Sequence, residues 1–146
     1  MSDTATLNSI NCSIIIDSNT ADLYSSYEFL KNFGVSKEIV CFSSGLEAIC
    51  YLQEKVALHQ KFPNLIFFSL DLKDIKGEDF LTAFKIFESR FRKNSRLILM
   101  KVKQENSRAI ELEKFPEIEI ILNKPLLLHT DAHSLTIIRS KKNEIS

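Results

Sequence analysis

Asn64-Leu65-Ile66-Phe67-Phe68-Ser69-Leu70, followed by the polar run Asp71-Leu72-Lys73-Asp74-Ile75-Lys76-Gly77, decides the fold. Pro63 breaks the chain just ahead of it. From Leu65 to Leu70 the residues are apolar almost without interruption, so a strand built from them has no polar face to turn to water. Strands of that kind belong to parallel sheets covered by helices on both sides. Beyond the polar loop, Phe80, Phe84, Phe87 and Phe91 recur at helical spacing and read as a core-facing stripe.

The same alternation extends both ways. Cys12-Ser13-Ile14-Ile15-Ile16 is a short β-branched strand, and Asp17-Ser18-Asn19-Thr20 after it is rich in helix N-cap residues. Leu23, Tyr27, Leu30 and Phe33 keep a helical period until Gly34 stops it. Glu38-Ile39-Val40-Cys41-Phe42 is a second strand, and Ser44-Gly45-Leu46-Glu47 has the spacing of a capping box opening the next helix. Residues 97–100 and 118–122 read as the fourth and fifth strands. A weakly amphipathic helix is expected over 105–115, ended by Pro116, and a last helix carries Leu128, Leu135 and Ile138.

Strands alternating with helices force parallel pairing. The economical topology is a doubly wound, flavodoxin-like α/β sheet of order 2-1-3-4-5 with helices on both faces. Function in such sheets sits beyond the carboxyl ends of the strands. The loops to inspect are therefore 17–20, 69–77, 101–106 and 123–126. The domain is expected over 12–138, with loose ends at 1–11 and 139–146.

Composition sets the remaining bounds. A chain of 146 residues is one domain, and 45% hydrophobic with 26% charged residues is ordinary globular material. Lys plus Arg and Asp plus Glu are both 19, so net charge is zero, which removes the electrostatic case for nucleic acid or an anionic membrane. No apolar run approaches the ~18 residues of a membrane span. The first ten residues lack the basic start and apolar block of a secretory signal. Cys12, Cys41 and Cys50 sit in apolar stretches without a C-x-x-C pair and read as reduced core residues of a cytoplasmic protein. They do not combine with His59, His129 and His133 at zinc-site spacing, and His129 with His133 lacks a third ligand, so no metal or cofactor is expected.

The order of elements, together with particular loop residues, resembles the CheY-like receiver domain of bacterial two-component response regulators. Residues 64–81 are similar to that family's central strand and phosphorylation loop. Ile121-Leu122-Asn123-Lys124-Pro125-Leu126 closely resembles its Lys-Pro motif, and Ile14-Ile15-Ile16-Asp17-Ser18 its first strand and acidic pair. The resemblance implies a pocket around a phosphoacceptor Asp, and a Lys-Pro peptide bond that is commonly cis.

The chain departs from the family at that pocket. Ser69 stands where the phosphoacceptor Asp is expected, and Ser18 replaces the second acid that helps hold the divalent cation. Lys101 replaces the switch Thr or Ser, while Lys73 and Lys76 fall at the loop's Pro and Asp. Asp17 and Lys124 are retained. With Asp17 as the one carboxylate against Lys101 and Lys124, the pocket is expected to carry net positive charge and to favour an anion over Mg²⁺. Lys101 is expected either on the surface or paired with Asp17 or Asp71.

The reading is a stand-alone, non-enzymatic receiver-like module of phosphorelay signalling that has lost phosphorylation and acts by contact with a sensor kinase or another signalling protein. A homodimer through helix 105–115, the fifth strand and the last helix is expected from the family's usual surface. Asp71 is the possible substitute acceptor, which would make the chain a phosphorylatable single-domain regulator. A small α/β hydrolase using Ser69 is the remote alternative. Phe68-Ser69-Leu70 lacks the glycines that flank a nucleophile elbow.

Overall fold

The computed structural model describes residues 10–102 and 115–126. In chain order the elements are β1 (Cys12–Ile16), α1 (Thr20–Phe33), β2 (Glu38–Phe42), α2 (Gly45–Ala57), β3 (Leu65–Ser69), α3 (Gly77–Ile86), the single turn α4 (Ser89–Arg92), β4 (Arg96–Val102) and β5 (Ile118–Lys124). The strands form one sheet of order β2-β1-β3-β4-β5, and every pairing is parallel. This is the doubly wound topology expected from the alternation.

The apolar strand β3 lies at the centre and is buried throughout. Its side chains alternate between two cores. Ile66 and Phe68 join Ile14, Ile16, Leu97 and Leu99 beneath α2 and α3, which contribute Leu52, Phe80 and Phe84 among others. Leu65 and Phe67 join Ile15, Ile98 and Met100 beneath α1, whose Phe29 and Leu30 complete that side. Helices thus cover both faces. Asn19 caps α1 by accepting from the Asp22 N–H at 3.0 Å, and Gly34 ends it in the left-handed conformation.

Ile10 and Asn11, which the sequence reading leaves in the N-terminal segment, are already packed. Ile10 is fully buried, and the backbone carbonyls of both accept from Lys37 and Glu38. Arg96 of β4 pairs with Glu119 at 3.3 Å beside a register shift in β5. The expected helix over 105–115, apart from Phe115, lies outside the described residues, as do the last helix, His129, His133 and the segments 1–9 and 139–146.

Two expectations change. The phenylalanine stripe is not one helix: α3 ends at Ile86, Phe87 is extended, and α4 follows. The break lets the chain fold back over Phe62, whose ring lies 5.3 Å from Phe87 and 5.7 Å from Phe91, so all these rings still reach the core. The cysteines are reduced, but Cys41 and Cys50 are exposed rather than buried. Cys41 sits on the edge strand β2, and Cys50 on the outer side of α2, where apolar sequence neighbours do not ensure cover.

One glycine is fixed by close approach. A Cβ on Gly77 would lie 2.6 Å from the Ser69 carbonyl oxygen and 2.7 Å from Leu70 Cα, both backbone atoms that cannot swing aside. At Gly45 the nearest atoms belong to the side chains of Ile75 and Leu72. Gly77→Ala is therefore expected to cost about 1–3 kcal/mol in urea unfolding, and Gly45→Ala less. Equal losses would show that the backbone contact at Gly77 is not what fixes the loop.

Candidate functional site

The carboxyl ends of β1, β3 and β5 bring Asp17, Ser69 and Lys124 together. The register decides this: Ile15 lies opposite Phe67, Ser69 opposite Met100, and Val102 opposite Lys124, so the three residues extend the α1-side columns past the end of the core. The Lys124–Pro125 bond is cis. The Lys124 ammonium donates to Ser69 Oγ at 2.8 Å and to Asp17 Oδ2 at 2.9 Å, and lies 3.1 Å from Asp22 Oδ2. Its three protons thus face three acceptors. The Lys124 side chain is 8% exposed and that of Asp17 1%.

Asp22 is the member of this group that sequence reasoning missed. It is the third residue of α1, a position from which an acidic side chain reaches back over the first turn. The run Asn19-Thr20-Ala21-Asp22 held that signal. Two carboxylates therefore face one amine, and the expected net positive pocket is corrected. An added anion would have to displace Asp17 and Asp22 from Lys124.

Lys101 does not take part. It is half-exposed, lies beside Asn123 in the β4–β5 register, and forms no ion pair among the described residues. Strand alternation puts it on the face opposite Met100 and Val102. Val102, not Lys101, lines the cleft of about 500 Å³ next to Asp17, Asp22, Asp71 and Lys124. Asp71 is exposed at the rim and has an interaction of its own.

Ser18 carries a different role from a lost ligand. Its hydroxyl donates to the Ser43 carbonyl and accepts from the Lys73 N–H, both at 2.9 Å. It thus ties the β1–α1, β2–α2 and β3–α3 loops together. A carboxylate accepts but does not donate, so Asp here would forfeit the Ser43 bond.

A second tie, also missed, is Asp74. Its carboxylate accepts from the Ser44 hydroxyl and from the Gly45 and Leu46 N–H groups at 3.1 and 2.9 Å, capping α2 from the neighbouring loop. Slight desolvation raises the Asp74 pKa, but the bonds from Ser44 and from the Leu46, Gly45 and Ile75 backbone hold the carboxyl well below the usual range. No local pattern announces this contact, because its partners are about thirty residues away.

The donor set does not fit a divalent cation. Asp17 Oδ1 accepts from the Asn19 N–H at 3.0 Å, Asp17 Oδ2 and Asp22 Oδ2 face the Lys124 ammonium, and the Ser18 and Ser69 hydroxyls are engaged as well, so the oxygens at the centre of the site are already committed. Among the described residues no group of three or more His, Cys, Asp or Glu is arranged to hold a metal ion.

Burial by itself would lower the Lys124 pKa; the hydrogen bonds and charges of Asp17 and Asp22 outweigh it, and the net shift is upward from 10.5. Since the folded state binds this proton more tightly, its stabilisation is fully present below pH 10.5 and is lost as pH rises through the folded pKa. Lys124→Met, which leaves Asp17 buried beside an apolar group, is expected to cost about 3–5 kcal/mol at neutral pH. The gap to wild type should shrink at alkaline pH. Denaturant unfolding of both proteins across pH checks this, and a gap independent of pH would refute it.

No protein-family model matches the sequence, and no curated protein matches it. Solved structures do. A two-component response regulator from Cytophaga hutchinsonii superposes with a TM-score of 0.78 at 20% identity, covering 92% of this chain and 98% of that one. A response regulator receiver protein from Dyadobacter fermentans gives 0.71 at 25% identity, over 87% and 96% of the two chains. A CheY-like receiver domain protein from Methanospirillum hungatei gives 0.72 at 17% identity, over 94% and 100%. The chain has the fold of the CheY-like response regulator receiver domains, with Ser69 at the end of its central strand.

Proposed function

We propose that the chain is a receiver-like module of two-component phosphorelay signalling that is not phosphorylated and acts in the cytoplasm by binding protein partners, a sensor kinase or another signalling protein. The observation that carries this is the saturated Lys124 ammonium. A group that would meet an incoming phosphoryl is already held by Asp17, Asp22 and Ser69. Phosphoryl transfer depends on positioning and charge neutralisation; here the buried amine is already engaged, and among the described residues no group of acidic, His or Cys side chains is arranged to hold a metal ion. The receiver fold of the neighbours supports the signalling context. No helix among the described residues is long and apolar enough to cross a membrane.

The hydrolase reading loses support from the same geometry. Ser69 is 2% exposed. The amine beside it is kept protonated, so it cannot serve as the base that activates a serine hydroxyl. Of the face expected to form a homodimer, β5 alone falls among the described residues, as an edge strand with Ile121 36% exposed.

Acetyl phosphate with Mg²⁺ is expected to give no hydroxylamine-labile acyl phosphate by mass spectrometry, and beryllofluoride no change in the amide spectrum. Ser69→Asp alone should not restore labelling, because Lys124 stays paired and Ser18 stays a hydroxyl. Stoichiometric acyl phosphate on Asp71 would replace this reading with that of a phosphorylatable regulator.

A further inference from the structure

A second cavity, of about 450 Å³, opens at the other end of the sheet, where the strands begin. Its charge is one-sided. His59, Lys61 and Arg90 line it with Asn11, Asn64 and Asn94, and among the described residues no carboxylate lines it. The chain as a whole has zero net charge, so this is a local feature.

The inner part of the lining is fixed by bonding and packing, and His59, Lys61 and Arg90 stand at its exposed rim. Asn64 Oδ1 accepts from the Asn11 and Cys12 N–H groups at 2.9 and 3.3 Å, which leaves the donor half of the same carboxamide for the cavity. Phe62, 6% exposed, and Phe91 form an apolar floor. The Arg90 guanidinium lies 4.7 Å from the Phe91 ring centre, which holds the cation against that wall. Its partner Glu88 is 3.5 Å away, but both side chains are more than 60% exposed, so the pair is weak and yields readily.

His59 adds an independent sign. It follows α2 with φ of 55°, the one non-glycine residue with positive φ among those described. The His59 and Gln60 N–H groups bond back to Val56 and Lys55, a helix end at which glycine is the favoured residue. A bulkier side chain held there, and turned to line a cation-rich cavity, points to use.

We propose that this cavity binds a compact anion bearing phosphate or carboxylate groups, gripped by His59, Lys61 and Arg90 with the carboxamides as neutral donors. The size suits a small metabolite. The site is remote from Lys124 and does not depend on the reading of that pocket.

The test is an amide-resolved NMR titration of the full chain with inorganic pyrophosphate and, separately, with citrate. Saturable shifts confined to the lining residues are expected with at least one probe, and the tighter probe identifies the phosphate or carboxylate class. Arg90→Gln and Lys61→Gln should each weaken binding roughly tenfold. His59→Gly should raise the melting temperature, by relieving the left-handed position, and weaken binding. Shifts that do not saturate, scatter over surface lysines or centre on Lys124 overturn the proposal. So do charge-removing variants that bind like wild type, or a stabilised His59→Gly protein with undiminished affinity.

Discussion

A single buried ammonium organises the carboxyl end of the sheet. Lys124 on β5 reaches Asp17 at the end of β1, Ser69 at the end of β3 and Asp22 on α1, so four elements converge on one charge. A buried cation is tolerated only when its protons are fully accepted, and here each proton has an oxygen. The arrangement is self-contained. Asp17 cannot turn to a metal without abandoning Lys124, and Lys124 cannot turn to an incoming anion without leaving two carboxylates unpaired.

The loops around that charge are fastened by groups that suit a fixed surface. Ser18 works because a hydroxyl both donates and accepts, joining Ser43 and Lys73. Asp74 works because the first N–H groups of α2 lack partners inside the helix, and a carboxylate from the adjacent loop supplies them. Gly77 completes the loop by letting α3 start against the Ser69 carbonyl. The β3–α3 loop is thereby tied through Lys73 and Asp74 to both neighbouring loops. This is the region where a receiver would be expected to respond, and its bonding favours one conformation.

The two ends of the sheet differ in electrostatic character. Around Lys124 opposite charges are matched internally. At the opposite end Lys61 and Arg90 line a cavity together with carboxamides and phenyl rings, and the contact of Arg90 with Glu88 is on the surface.

The sequence by itself determined the topology. The apolar run Leu65 to Leu70 required cover on both faces, and the strand–helix alternation required parallel pairing, for which 2-1-3-4-5 is the economical order. Asn19 and Gly34 marked the ends of α1 because caps are local chemistry. The neighbourhood of Asp17, Ser69 and Lys124 was also legible, since residues at strand ends share an edge once the order is known. What only the tertiary structure decided were contacts that depend on side-chain reach. Lys101 looked equivalent to Lys124 by position, yet strand alternation turned it to the other face. Asp22 became an ion-pair partner through the way α1 sits on β1. Asp74 became a helix cap through the approach of a distant loop. Each of these follows from geometry on the scale of a few ångströms that residue spacing along a chain does not encode, because hydrogen bonds and ion pairs fail over distances smaller than one residue's length.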